Sequence, residues 1–147
     1  MTSSNLTTRE PQIDDHADIA RLLRQLGYDA TPAMIRDKLA ARLPSAADRI
    51  VVAVIDGRIV GCISLHALPL FHANGNLGRM TSLAVDEVCR GRGVGSALMA
   101  ATQRWFEHAR CVKLEVTSGD HRPDAHRFYA RHGFARDGRR LSKTVGS

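Results

Sequence analysis

The segment from Met80 to Phe106, MTSLAVDEVCRGRGVGSALMAATQRWF, constrains the fold more than any other part of the chain. An apolar, strand-like run gives way to Gly91, Gly93 and Gly95, interleaved with Arg90 and Arg92, and then to an apolar pattern of helical spacing. A glycine lowers helix propensity by about 1 kcal/mol relative to alanine, so three at a helix entrance need a reason. A tight strand-to-helix turn would require one. Three leave the main chain bare where a helix N-terminus presents unpaired N–H groups and roughly half a positive charge. That is a place for an anion, and the two arginines add charge-assisted contacts. A pyrophosphate is its most economical occupant.

Known phosphate patterns narrow the ligand. A Walker loop ends in G-K-[ST], whereas here Gly95 is followed by Ser96-Ala97. The dinucleotide fingerprint G-x-G-x-x-G also fails, because the third glycine comes one residue early. What remains is R-x-x-G-x-G, Arg90 to Gly95.

Around this segment the pattern predicts alternating helices and strands. Leu6–Glu10 reads as a short first strand. Asp14 or Asp15 caps a helix with Ile19, Leu22, Leu23 and Leu26 on one face and Gly27 as its stop. Thr31-Pro32 opens a second helix, Pro32–Ala41. Two β-rich runs meet at Asp56-Gly57, a strong hairpin signal. PLFHANGNLGR reads as a loop before a short strand, Met80–Val85. Gly93–Ala109 reads as a helix with Val94, Leu98, Ala101 and Trp105 on its core face. A strand at Val112–Thr117, a helix opened by Pro123 and ended by Gly133, and two closing strands at Phe134–Asp137 and Leu141–Val145 complete the order. The expectation is a mixed α/β sheet, β-α-α-β-β-β-α-β-α-β-β, in one domain spanning 1–147.

Composition excludes several function classes. At 44% hydrophobic and 24% charged the chain is globular, and its longest apolar run, Ile50–Ile55, is far short of the ~20 residues of a membrane span. The opening residues carry no secretory apolar core, so the expected location is cytoplasmic. Cys62, Cys89 and Cys111 show no C-x-x-C spacing and read as reduced, buried side chains; no metal site is expected. A net charge of +6 favours an anionic partner. Nucleic acid is not expected, because aromatics are few and the basic residues are spread along the chain.

The segment LAVDEVCRGRGVGSALM and a second one, AHRFYARHGF (Ala125–Phe134), together resemble the GNAT superfamily of acetyl-CoA-dependent N-acetyltransferases. The second segment follows the family's A-x-x-F-Y-x-x-x-G-F pattern, and the element order agrees over nearly the whole chain. The resemblance implies a GNAT-like sheet with strands 4 and 5 splayed and acetyl-CoA as co-substrate. The pantetheine arm would lie along the main chain of Leu83, Ala84 and Val85. The pyrophosphate would rest on Arg90, Gly91, Arg92, Gly93, Val94, Gly95 and Ser96.

The implied reaction transfers an acetyl group to a primary amine of a small molecule or peptide by direct attack. A catalytically silent acetyl-CoA-binding or sensing module is the alternative. An alkylammonium is less than about one part in a thousand neutral at pH 7, so the attack needs a proton acceptor, and the departing thiolate gains from a donor. Tyr129 occupies the family's usual position for that acid. Glu115 is the candidate base, weighed against a surface ion pair with Lys113 or an arginine; His66, His72 and His126 also compete. Where many members carry an asparagine near the pantetheine, this chain has Arg122. Tyr28, Asp29, His72 and Asn74 are candidate acceptor contacts, and a homodimer is the default assembly.

Overall fold

A computed structural model describes residues 5–117, 123–138 and 140–146. Contacts divide the chain into two bodies, 1–115 and 116–147, described in turn.

The first body is built on a sheet of order β1-β2-β3-β4-β5. Its strands are β1 (Thr7–Arg9), β2 (Asp48–Ile55), β3 (Arg58–Pro69), β4 (Asn76–Val85) and β5 (Cys111–Val116), the last of which also contributes its end residue to the second body. Neighbours from β1 to β4 pair antiparallel, and β5 runs parallel to β4. Helices α1 (His16–Gln25) and α2 (Pro32–Arg42) cover one face, and α3 (Val94–His108) packs on the strands from the other.

Local chemistry accounts for most boundaries. Thr31 Oγ1 accepts from Met34 N–H at 3.1 Å and caps α2, with Pro32 in its first turn. Asp56 (φ 50°) and Gly57 (φ 79°) both adopt the left-handed conformation that a two-residue hairpin turn demands. The α1/α2 face buries Ile19, Leu22, Ile35 and Leu39 against Val52, Cys62 and Ala84.

Three expectations are corrected. The β3–β4 hairpin is longer than the sequence suggested: β3 runs to Pro69 and β4 starts at Asn76, so both ends of the supposed loop are paired and only 70–75 connect the strands. Gly78 looked like a loop residue, yet it lies in β4 opposite Ala67, at a position that takes glycine because a Cβ there would lie 2.7 Å from Leu114 and 2.8 Å from Phe106. Secondly, the buried stripe of α3 is Val94, Leu98, Thr102 and Phe106, and Trp105 is only half-buried. Strict i, i+4 spacing, rather than the bulkiest aromatic, marks the core face.

The second body contains α4 (Pro123–Arg131), which ends at Gly133 with φ 89°. The two closing strands are the third correction. No strand forms among the described residues of 134–146, where Leu141 is 92% and Val145 81% exposed. Alternation of apolar residues makes a strand only where a neighbouring strand supplies hydrogen bonds and a face to bury against.

Candidate active site

The glycine loop has the expected geometry. Gly91 and Gly93 both have φ 81°, and a Cβ built at either meets nothing within 4 Å. The space in front of the main chain is therefore open, as close approach of a phosphate requires. Gly93 is the N-cap of α3, and Ala97 N–H donates to its carbonyl at 3.0 Å. The N–H groups of the helix's first turn have no intrahelical acceptor and point out of its start. Arg90 and Arg92 are exposed beside them.

Immediately upstream, the loop is clasped by α1. Asp86 is buried, and its carboxylate accepts from Arg21 Nη1 at 2.8 Å and from Val88 N–H at 3.2 Å. Gln25 Oε1 accepts from Glu87 N–H at 3.0 Å. Burial alone would raise the Asp86 pKa; the Arg21 guanidinium and the Val88 amide outweigh it and hold the carboxyl below its ordinary value. Neither Arg21 nor Asp86 stood out in the sequence, since an aspartate after a strand reads as an ordinary turn residue.

The strand edge that should receive an extended ligand is exposed by simple arithmetic of lengths. β5 meets β4 at its start, where Asn76 N–H donates to Arg110 C=O at 3.0 Å and Asn76 Nδ2 to Ala109 C=O at 2.7 Å. With six residues against ten, β5 ends before β4 does. Counted from that shared start, the described part of β5 stops short of Leu83, Ala84 and Val85 at the far end of β4.

Just before that edge, β4 bulges. Cys62 opposes Ala84 and Ser64 opposes Thr81, so Ser82 and Leu83 together face Ile63. Ser82 takes φ 57°, a left-handed conformation unusual for a residue with a Cβ. Such a bulge turns main-chain groups off the ladder.

Ser82 lines a cavity of about 250 Å³ between the sheet and helices α1 and α2. Ile19, Leu23, Ile35 and Leu39 give it apolar walls, and Lys38 and Arg42 of α2 add two cations. Its polar floor is Ser64, His66, Thr81 and Ser82. His66 Nδ1 lies 2.7 Å from Asp48 Oδ1, while Nε2 lies 3.2 Å from Ser64 Oγ and 3.1 Å from Thr81 Oγ1. The hydrogen bond from His66 lowers the Asp48 pKa, against burial, with help from Ser45 and Arg42. Cys62 also lines the cavity, and burial pushes its thiol up to about 12, so it is inert at neutral pH.

The other sequence-derived candidates lie elsewhere. Glu115 is ion-paired on the surface, 3.6 Å from Arg79 and 3.8 Å from Lys113. Tyr28, Asp29, His72 and Asn74 are exposed and none lines the cavity. Arg122 lies outside the described residues. In the second body, the Tyr129 ring meets Phe128 and Phe134 edge-on at 5.4 and 5.7 Å between centroids, and its carbonyl accepts from the N–H groups of His132 and Phe134. His126 stands one turn earlier on the same helix, half-buried. Among the described residues no cluster of His, Cys, Asp and Glu could hold a metal ion, and no helix is long and apolar enough to cross a membrane.

Known proteins share this architecture. The model of the acetyltransferase (GNAT) family matches residues 17–134. The chain is 34% identical over 140 residues to an aminoalkylphosphonate N-acetyltransferase of Salmonella typhimurium, covering 94% of this chain and 88% of that one. Among solved structures it resembles glucosamine-6-phosphate N-acetyltransferase of Arabidopsis thaliana, with TM-score 0.83, 20% identity, and 97% and 99% of the two chains covered. It also resembles the aminoglycoside N-acetyltransferase AAC(6')-Iy in complex with CoA, with TM-score 0.85, 18% identity, and coverage of 98% and 97%. At these identities the two structures speak for the fold.

Proposed function

The chain belongs to the acetyltransferase (GNAT) family and is an enzyme that uses acetyl-CoA to acetylate amines; within that activity we propose that its acceptor is a small primary amine carrying an anionic group, seated in the cavity beneath α1 and α2. One observation carries the reading. The cavity joins the bulged residue of β4, a polar floor and two cations, Lys38 and the Asp48-paired Arg42, in one place, and its bulge residue directly precedes Leu83–Val85. Lys38 has no carboxylate partner among the described residues, and no acidic side chain lines the cavity. A cavity with cations at α2 and apolar walls suits a short amine bearing a phosphonate, phosphate or carboxylate. The Salmonella relative, named for aminoalkylphosphonates, supports the same class.

In this reading acetyl-CoA supplies an activated acyl group. The amides of Gly91–Ser96 with Arg90 and Arg92 hold its diphosphate, and the edge of Leu83, Ala84 and Val85 pairs with its arm as an added strand would. The bulge at Ser82 leaves a main-chain N–H to steady the thioester oxygen as it gains charge. Tyr129 donates a proton to the leaving sulfur, because a phenol remains protonated at pH 7.

The test is a thiol-release assay with acetyl-CoA, comparing 2-aminoethylphosphonate with ethanolamine. The expected result is at least a tenfold preference in kcat/KM for the phosphonate, reduced in Lys38→Ala. Equal use of both amines, or no release with the phosphonate, contradicts the acceptor assignment.

A further inference from the structure

We infer that His66 is the proton acceptor for the incoming amine, and that Asp48 is the residue that positions it. The inference rests on the acceptor site proposed above, because it assigns a task within that cavity.

The hydrogen bonds determine the state of the ring. An ionised carboxylate only accepts, so the 2.7 Å contact with Asp48 requires a proton on Nδ1. In the neutral imidazole Nε2 then carries the lone pair. That nitrogen is the one beside Ser64 Oγ and Thr81 Oγ1, and both of those residues line the cavity with His66. Either hydroxyl can donate to its single lone pair, and either can pass it a proton from a group in the cavity. Thr81 has a second acceptor within reach, the Ser64 carbonyl at 3.4 Å, so its hydroxyl can turn away and leave the Ser64 hydroxyl to relay a proton to Nε2.

Placement in the strands makes the arrangement rigid. Cys62, Ser64 and His66 alternate along β3 on the α1/α2 face, while Gly61 faces α3. Asp48 is His66's direct cross-strand partner on β2, and Thr81 and Ser82 approach from β4. Asp48 is further held by Arg42, 3.6 Å away on α2. Three strands and one helix therefore fix a ring whose Nε2 sits among the polar residues that line the cavity with the bulge residue. Glu115, the candidate read from the sequence, holds two cations of its own and does not line this cavity.

The proton and electron balance follows. The substrate ammonium gives one N–H proton to His66 Nε2, directly or through Ser64 or Thr81. The freed nitrogen pair forms the C–N bond to the acetyl carbon as the C–S bond breaks, and the sulfur keeps that bonding pair. The sulfur takes a proton, the nitrogen loses its surplus proton to solvent, and the imidazolium returns its own to water. Asp48 stays ionised throughout and keeps its hydrogen bond from Nδ1–H. The charged groups on this face around the ring are Asp48 from β2, Lys38 and Arg42 from α2, and Arg79, the direct cross-strand partner of His66 on β4, which is ion-paired with Glu115; β4 also contributes Thr81 and Ser82, and α1 Ile19 and Leu23.

Two measurements on the full chain test the assignment. With acetyl-CoA and 2-aminoethylphosphonate, His66→Gln should lower kcat about 100-fold or more, a general-base effect, with KM for acetyl-CoA unchanged and the acidic limb of the pH–rate profile gone. Asp48→Asn should lower kcat by a smaller factor and shift that limb without abolishing it. A His66→Gln enzyme within threefold of wild type that keeps the limb overturns the inference, as does loss of the limb in Glu115→Gln instead. The second measurement needs no acceptor: ¹⁵N spectra should show His66 protonated at Nδ1 and bare at Nε2 at neutral pH, and a ring protonated at Nε2 overturns the assignment. Failure of wild type to acetylate the aminophosphonate contradicts the acceptor class alone, and the spectra then decide the role of His66.

Discussion

Arg21 Nη1 lies 2.8 Å from Asp86 Oδ2 across 65 residues of sequence, and only 2% of Asp86 is exposed. This contact ties the middle of α1 to the point where β4 ends and the glycine loop begins. The same guanidinium donates from Nη2 to the Ile59 carbonyl at 3.1 Å, so the start of β3 is held as well. Removing the carboxylate strands a guanidinium and an amide that it had satisfied. Asp86→Ala is expected to cost about 3 kcal/mol of unfolding free energy, the range for breaking a buried pair from one side. Urea unfolding measures it, and a loss under 0.5 kcal/mol in about that scale contradicts the role.

Acid should weaken the fold through the same kind of contact. Asp15, Asp48 and Asp86 all have folded-state pKa values below the ordinary carboxylate value. For Asp15, burial opposes the shift, and the Arg9 guanidinium and the Gln12 amide prevail over it. For Asp48 the His66 hydrogen bond leads. A depressed carboxylate binds its proton less tightly folded than unfolded, so it adds stability above its unfolded pKa and loses it as pH falls through the folded one. The melting temperature should respond little to these groups between pH 7 and 5 and fall below about pH 4. Asp86→Asn should flatten that fall; an unchanged acid profile in the variant assigns the loss elsewhere.

Thr102 offers the opposite case. It is fully buried in the core stripe of α3, and its Oγ1 has no hydrogen-bond partner among the described residues. A buried hydroxyl left unsatisfied costs about 1–3 kcal/mol. Thr102→Val replaces it with a methyl of similar size and should raise stability by about 1 kcal/mol. Calorimetry of the two proteins decides it, and a lower melting temperature in the variant would show that the hydroxyl is satisfied.

Much of this fold was legible because its signals are local. Thr31-Pro32, Asp56-Gly57 and the glycines at 91 and 93 each specify a backbone conformation by themselves, and each appears where it was expected. The Asp48–His66 pair was not legible, for a reason the register makes plain. A two-residue turn at Asp56-Gly57 pairs Ile55 with Arg58, and an unbroken ladder from there would set Asp48 opposite Leu65. A one-residue irregularity between Ala53 and Val54 moves the partner to His66. Nothing in the sequence IVVAVI announces that slip. The bulge at Ser82 escaped for the same reason, since a serine with φ 57° is held by its surroundings and not by its own preference. The closing strands failed on the converse ground: Leu141 and Val145 alternate as a strand would, without a face to bury.

The most direct test of the account is titration calorimetry of acetyl-CoA into the wild-type chain and into Gly93→Val and Arg92→Ala. Gly93 adopts φ 81° with open space before it, and a side chain there would stand in the approach proposed for the diphosphate. Wild type should bind, Arg92→Ala should bind several-fold more weakly, and Gly93→Val should show no measurable binding while its circular dichroism remains that of a folded protein. Equal affinity in all three would place the diphosphate somewhere other than the start of α3, and the account of the site would fail with it.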